Sequence, residues 1–389
     1  MDQPEYTTLT EALKSVPDPR HARGKRYTWL FLLTLIAAAM VSGQKTVNAI
    51  ADWVHGHADE LRAALKPSTG GMPSGATFYR TLRNIDLAAL ETQLAGLTKP
   101  LAHETAARAA IITAEGQVLQ GQAFDGKQVR GSQAHGQPLT LVSLVQHETG
   151  ITLAQVETDT KSNEIPAAAQ LLAGRDLTNT VTTMDALHTQ RALAQQILDQ
   201  HGHYFMVVKE NQPTLYQAIE LLFQQPPWLA QERAQEYHGY TSSNKGHGRH
   251  EKRGLETSPT LNTFVDFSGV GQVMRRQCER VILKTGAISR ETRYGITSLG
   301  FAQVSAEQLE LLWRRHWTIE NRDHYVRDVT LGEDACQVHT GQAAHALAAF
   351  RNTILSLFRW NSWDNIASAI RYHAASVLRS LELIGALSP

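Results

Sequence analysis

Residues 118–129 read VLQGQAFDGKQV, a short apolar run that meets an Asp-Gly turn signal. The spacing predicts a strand ending near Asp125. PLTLVSLVQ (138–146) and ITLAQVET (151–158) follow as two more strands, and the turn signals between the three runs suggest a meander. NEIPAAAQLLAG (163–174) then reads as a helix, TVTTMDAL (180–187) as a strand, HTQRALAQQILDQHG (188–202) as a helix capped at Thr or His, and HYFMVVK (203–209) as a strand. The order βββαβαβ belongs to an α/β layer.

On the N-terminal side the pattern is helical, with segments around 8–16, 28–42, 46–56, 58–66 and 86–110 broken by PDPR, Gly43 and KPSTGGMPSG. PSGATFYRTLRNID leads from a turn into a helix carrying Tyr79, Arg80 and Arg83, which suits either a helix-turn-helix reader or plain packing. The apolar run TWLFLLTLIAAAMV is too short to cross a bilayer and is expected to be a buried helix. On the C-terminal side, residues 210–305 read as a β-rich insertion with strands at QCERVILKT and RYGITSL, set apart from the α/β layer. Helical periodicity returns from residue 306. The expected division is a helical domain at 1–112, the first part of the core at 113–209, the insertion at 210–305 and a helical end of the core at 306–389.

Composition sets the class. The chain has 389 residues, 42% hydrophobic and 19% charged, no net charge and a pI near 7.3. That is a soluble, cytoplasmic protein of more than one domain, with no membrane partner. Two cysteines make neither a disulfide framework nor a zinc site. Charge is local instead: RHARGKR (20–26), KGHGRHEKR (245–253) and the arginines between 275 and 293 are basic clusters, each readable as solvated surface or as a phosphate contact.

Three carboxylates suggest chemistry. Asp125 and Asp185 stand at the ends of adjacent predicted strands, where open sheets bind ligands, and Glu320 is placed to complete the set from a helix. Three hard oxygen donors suit Mg²⁺ or Mn²⁺. Two such ions would activate the attacking oxygen and stabilise the leaving one in phosphodiester displacement. Glu320 lies in HWTIENRDHYVRDVTLGED (316–334), where helical spacing puts Trp313, His316, Glu320, His324 and Arg327 in one broad stripe. Arg327, roughly 10 Å along the axis from Glu320, suits a phosphate. Asp323, about 300° round the helix, falls at the stripe's edge and is not expected to bind metal. The alternative keeps the tryptophans in the core and the charges in water. A zinc site of His316, Glu320 and His324 is disfavoured, since its outer members are two turns apart.

Taken in order, DGKQVRGS, KSNEIPAA (161–168), MDALHTQ, VVKENQ, KGHGR and HWTIENRDHYVRDV resemble bacterial insertion-sequence transposases of the H-repeat-associated type. The resemblance extends over nearly the full length and includes the N-terminal PDPR and PSGATFYR. It implies an α/β ribonuclease H-like mixed sheet, an Asp-Asp-Glu triad at Asp125, Asp185 and Glu320, two Mg²⁺ ions that Mn²⁺ could replace, and double-stranded DNA as substrate. It also implies a homodimer pairing two DNA ends. Related enzymes carry Tyr, Arg, Glu and Lys around the third acid, where this chain has Trp313, His316, Glu320 and Arg327. Expected DNA contacts are Lys127 and Arg130 after the first acid, Lys209 and Gln212 in VVKENQ, the insertion residues Lys245, His247, Arg249 and Arg253, and the stripe residues Trp313, His316, His324 and Arg327; Gln190 is a cap. The reaction implied is cleavage and strand transfer at element ends. A domesticated DNA-binding descendant and a nuclease without strand transfer are the alternatives.

Overall fold

A computed structural model of the chain describes residues 6–21, 25–106, 111–132, 139–158, 164–227 and 235–387. The chain forms two compact units, one of Met1–Ala106, Gly126–Asn163 and Ile319–Pro389, the other of Ala107–Asp125 and Glu164–Thr318.

The first unit is built on helices α1 (Leu9–Lys14), α2 (Trp29–Val41), α3 (Val47–Gly56), α4 (Ala58–Leu65), α5 (Gly75–Asn84) and α6 (Leu87–Ala106). Their starts follow the local chemistry. Thr8 and Glu11 close a capping box on α1, and the hydroxyls of Thr28 and Thr46 accept N–H bonds at the starts of α2 and α3. The expected buried helix is α2, whose residues are almost all enclosed, including Leu32, Leu33, Leu35 and Ile36. Each such side chain contributes about 1.5–3 kcal/mol by leaving water. On α5, Phe78 and Leu82 are buried while Arg80 and Arg83 stay exposed. The C-terminal segment adds α11 (Ala343–Trp360), α12 (Ile366–Ala374) and α13 (Val377–Leu383). The last two are separated at Ala375 and Ser376.

The second unit holds most of the sheet. Strands β1 (Ile111–Ile112), β2 (Val118–Val129), β5 (Thr180–Met184), β6 (His203–Val208), β7 (His238–Gly246), β8 (Arg249–Ser258), β9 (Gln272–Ile282) and β10 (Ile288–Thr297) run in the order β2-β5-β6-β10-β9-β8-β7, with β1 on β2. β2, β5 and β6 are parallel; β6 to β10 and the rest are antiparallel. Helices α7 (Glu164–Leu172), α8 (Arg191–Asp199), α9 (Pro213–Gln224) and α10 (Ala306–His316) complete the unit. Strand β2 is shared: its end from Gly126 belongs to the first unit, with β3 (Leu139–Gln146) and β4 (Thr152–Glu157), giving the sheet order β4-β3-β2 there. This is the mixed, helix-flanked ribonuclease H-like sheet that the resemblance implied.

Two expectations are corrected. Asp125 is not at a strand end: β2 runs on to Val129, because pairing on the sheet outweighs the turn preference of Asp-Gly. The segment after residue 210 is not set apart from the layer, since β10 pairs antiparallel with β6 and carries the sheet onward. Among the described residues it also contributes four strands rather than two, preceded by the unanticipated α9 with Pro213 in its first turn. Among the described residues no helix is long and apolar enough to cross a membrane.

Candidate catalytic site

In the second unit, β2 and β5 run in register from Gln120↔Thr180 to Ala123↔Thr183. Two residues beyond the last pair on each strand stand Asp125 and Asp185. Asp125 is still within β2 and Asp185 is the first residue past the end of β5, so the parallel pairing carries both chains past the same cross-strand pair before the two acids.

Asp185 is held by its own loop. Its Oδ1 accepts hydrogen bonds from the backbone N–H of His188 (3.2 Å) and from His188 Nδ1 (2.9 Å). Burial alone would raise the carboxyl's pKa, but the bond and charge of His188, helped by His316, bring it below the usual carboxylate range. The carboxylate therefore stays ionised at neutral pH. His188 is fully buried, edge-on to Phe124, with Nε2 3.9 Å from Glu164 Oε2.

That loop is fastened by a second one. Asn211 donates to Ala186 O (2.7 Å), Gln212 to Thr189 O (2.8 Å), and Thr189 Oγ1 to Val207 O (2.6 Å). The VVKENQ segment thus buttresses the loop of the second acid. Gln212, expected to meet phosphate, spends its amide on this support; Lys209 beside it is exposed. Gln190 does occupy the N-cap position of α8, without a side-chain cap bond. The sequence reading gave VVKENQ a role at phosphate and Gln190 a role as cap; the pairing of the two segments needs the fold.

On α10, Trp313 is 1% exposed and packs edge-on to Phe205 at 5.3 Å, with Arg276 over its ring. It is core, as the plainer reading held. Arg276 forks onto Glu310 at 2.7 and 2.9 Å, which satisfies both buried charges. His316 Nδ1 lies 3.1 Å from Thr183 Oγ1, and burial pushes its pKa down to about 4 against the opposing pull of Asp185. Near neutral pH it is an uncharged hydrogen-bonding group, not a cation.

In the first unit, Glu320 sits exposed on a π-helical turn, Ile319–His324, followed by a second, Val326–Thr330. Winding of i→i+5 changes which residues share a face: Arg327 turns inward, while Glu320 and His324 keep ligand atoms within 4.8 Å of each other. Arg327, expected at a phosphate, is 0% exposed. It binds Glu333 Oε2 through Nε (2.9 Å) and Nη2 (2.8 Å), and approaches Asp323 Oδ2 at 3.4 Å. Burial would lower its pKa, but Glu333 and Asp323 raise it further and keep it charged. Asp323 is equally buried and accepts from Thr152 Oγ1 at 3.1 Å. Far from marking a stripe's edge, it is the inner anchor of the turn.

Lys127 is likewise internal, bonded to Asp328 and 3.7 and 3.5 Å from Glu333 and Asp334. Arg130 is exposed. His324 is buried, and desolvation takes its pKa down to about 4, so it too is a neutral imidazole at neutral pH. Of the insertion residues, Lys245, His247 and Arg249 are exposed, whereas Arg253 is largely covered and bonded to Glu251 and Asn244. Direct phosphate contact in this conformation is thus open to Arg130, Lys209, Lys245, His247 and Arg249, and closed to Arg327, Lys127 and Trp313.

For a divalent metal the donor chemistry fits. Asp185 is ionised and its hydrogen bonds from His188 fall on Oδ1, which leaves Oδ2 as the atom to present; Glu320 is an exposed carboxylate; Asp125 stands two residues past the same cross-strand pair as Asp185. Hard oxygens of this kind suit Mg²⁺ or Mn²⁺.

Comparison with known proteins gives consistent matches. Residues 114–357 match the family described as "Transposase DDE domain", and residues 10–97 match "DDE_Tnp_1-associated". "Putative transposase YncI" of Escherichia coli O157:H7 is 29% identical over 362 residues, 90% of this chain and 87% of its own. "H repeat-associated putative transposase YhhI" of Escherichia coli (strain K12) is 26% identical, covering 91% of this chain and 90% of its own. A protein described only by its place in the dhlA 3′ region of Xanthobacter autotrophicus is 31% identical over 73% of this chain and 92% of its own. The family model takes in more than half of the residues, including both acids on the sheet and the third on the π turn, and the chain belongs to the transposase DDE domain family.

Proposed function

We propose that the protein cuts DNA at insertion-sequence ends and joins the exposed 3′ hydroxyl to target DNA, with Asp125, Asp185 and Glu320 as the metal-binding triad. The observation that carries this reading is the register of β2 and β5, with Asp125 and Asp185 two residues past one cross-strand pair. His188 supports it by keeping Asp185 ionised and oriented. When bound, two Mg²⁺ ions would supply charge for the attacking and leaving oxygens. The chain's own part is to hold three carboxylates ready and to grip the duplex. His324, buried and uncharged, is a nitrogen donor rather than a phosphate contact, and we add it beside Glu320, on the same turn, as a further candidate ligand.

Exposed Arg130, Lys209, Lys245, His247 and Arg249 are the phosphate contacts of this proposal; Lys127 and Arg327 act by positioning. Two copies pairing two ends, in the cytoplasm, complete it. The test is cleavage and strand transfer by Asp125→Ala, Asp185→Ala and Glu320→Ala on end DNA with Mg²⁺ or Mn²⁺. Each variant should lose both reactions and keep its fold and DNA affinity, because a ligand is removed from the chemistry and not from the duplex grip. A variant that cuts at near the parent rate would remove its residue from the triad. Parent protein that cuts without joining would reduce the activity to that of a nuclease.

A further inference from the structure

The second unit ends in two hairpin turns that lie side by side. The β7–β8 turn is a two-residue loop, His247 and Gly248, both at positive φ (50° and 74°), as a tight turn between twisted strands requires. Leu283, in the β9–β10 turn, donates its N–H to Gly248 O at 2.9 Å, so the two turns form one blunt end.

That end is apolar where solvent would favour polar residues. Ile282 is 45% exposed, Leu283 47% and Ile288 57%. The register sets Ile282 opposite Arg249 and Ile288 opposite Val281, so Ile282 and Ile288 point to opposite faces of the sheet with Leu283 between them at the turn. The result is a wedge one sheet thick with aliphatic groups on both sides.

Positive charge surrounds it. The guanidiniums of Arg249, Arg253 and Arg280 share the single carboxylate of Glu251, which leaves two charges uncompensated within this group. Lys245 and Lys284 make no ion pair among the described residues. An exposed aliphatic patch marks an interaction surface. Here a second copy of the same end would bring like charges together, whereas a polyanion would neutralise them.

We infer that this end is a wedge for duplex DNA: its cations meet phosphates on either side of the minor groove, and Ile282, Leu283 and Ile288 press into a base step and bend the helix. Apolar side chains that unstack a step in this way bend DNA toward the major groove. The inference rests on the proposal that the substrate is DNA, but not on the identity of the catalytic acids.

The experiment uses the full chain and an end-labelled duplex rich in TA steps, which deform readily. Energy transfer between the labels reports bending, and titration at several salt concentrations reports phosphate contacts. Replacing Ile282, Leu283 and Ile288 together by Ser should return energy transfer to that of free duplex and leave the salt dependence of binding unchanged. Replacing Lys245, Arg249 and Lys284 by Ala should lower the slope of log affinity against log salt by roughly two to three. Bending equal to the parent's in the Ser variant, or no bending by the parent, would overturn the inference. So would a Ser variant that bends normally while losing self-association by light scattering, since the patch would then be a contact between copies. Asp125→Ala should bend DNA as the parent does; if it also cuts DNA as the parent does, the triad fails and the wedge stands.

Discussion

Asp185 and Glu320 are both carboxylates held ready for solvent, but the molecule holds them by opposite means. Asp185 follows a parallel strand, and a handful of ordinary hydrogen bonds from His188, Asn211 and Gln212 fix its loop. Glu320 rides a π-helical turn whose inner side is a buried ion cluster of Asp323, Arg327 and Glu333, with Arg351 3.5 Å from Glu333. A strand inherits its direction from its neighbours, whereas an irregular helical turn needs its own internal ties. The difference predicts that damage behind Glu320 shows first as lost stability, and damage behind Asp185 first as lost chemistry.

The largest effect should come from Arg327→Met. It leaves Glu333 and Asp323 buried with part of their countercharge gone, and breaking a buried pair from one side costs about 3–5 kcal/mol. Urea denaturation should show that loss. A variant within about 1 kcal/mol of the parent would mean that the cluster does not hold the turn.

Next in size is a pH effect that separates His345 from His316 and His324. His345 is buried between Glu91 (3.1 Å) and Glu157 (3.3 Å), which tie α6 and β4 to α11. Burial would lower its pKa, but the two carboxylates raise it to about 9. Its folded value exceeds the unfolded one near 6.5, so its stabilisation is complete below about 6.5 and is lost as pH rises through about 9. His316 and His324 go the other way: with folded values of about 4, they favour the folded state above about 6.5 and cease to do so as pH falls toward about 4. Denaturation at about pH 6.5 and pH 9.5 should differ by about 1–3 kcal/mol from His345, and His345→Gln should shrink the difference. An unchanged difference would assign the alkaline loss to other groups.

The smallest effect on stability, though not on activity, is expected at His188. His188→Ala frees Asp185 from its orienting bond, and loss of such a partner typically raises the metal requirement about 10–100-fold. His188→Asn keeps a donor and should recover part of it. Half-maximal Mn²⁺ concentration for cleavage is the readout; an Ala variant with the parent's Mn²⁺ dependence would make His188 a packing residue only. Comparison with Arg327→Met then tests the contrast directly, since one variant should move metal dependence and the other the folding midpoint.

The strands β2 to β6 were legible because apolar runs bounded by turn signals carry their own period. Asp125 and Asp185 could be proposed from the same pattern, since each stands near the end of an apolar run, although β2 runs on past Asp125 to Val129. The third acid was legible by position, but its surroundings were not. Trp313, His316, Glu320 and Arg327 fall together only if the winding is α-helical, and the π turns of Ile319–Thr330 break that premise. Arg327 and Lys127 were expected at phosphates because a sequence shows a charge and not its partner; Asp323, Asp328 and Glu333 meet them inside the protein. The exposed Ile282, Leu283 and Ile288 were hidden for the converse reason, since aliphatic residues in a strand pattern read as buried.

Local sequence by itself determined the elements: caps at Thr8, Thr28 and Thr46, the buried run of α2, and the alternation of strand and helix from β2 to β6. Tertiary structure alone decided which charges face inward, how far β2 runs, that β10 extends the sheet from β6, and how the segment around Glu320 winds. The physical reason is range. Caps, turns and hydrophobic period act between residues a few positions apart, whereas desolvation and ion pairing depend on partners such as Lys127 and Asp328, 201 positions apart along the chain, that only folding brings together.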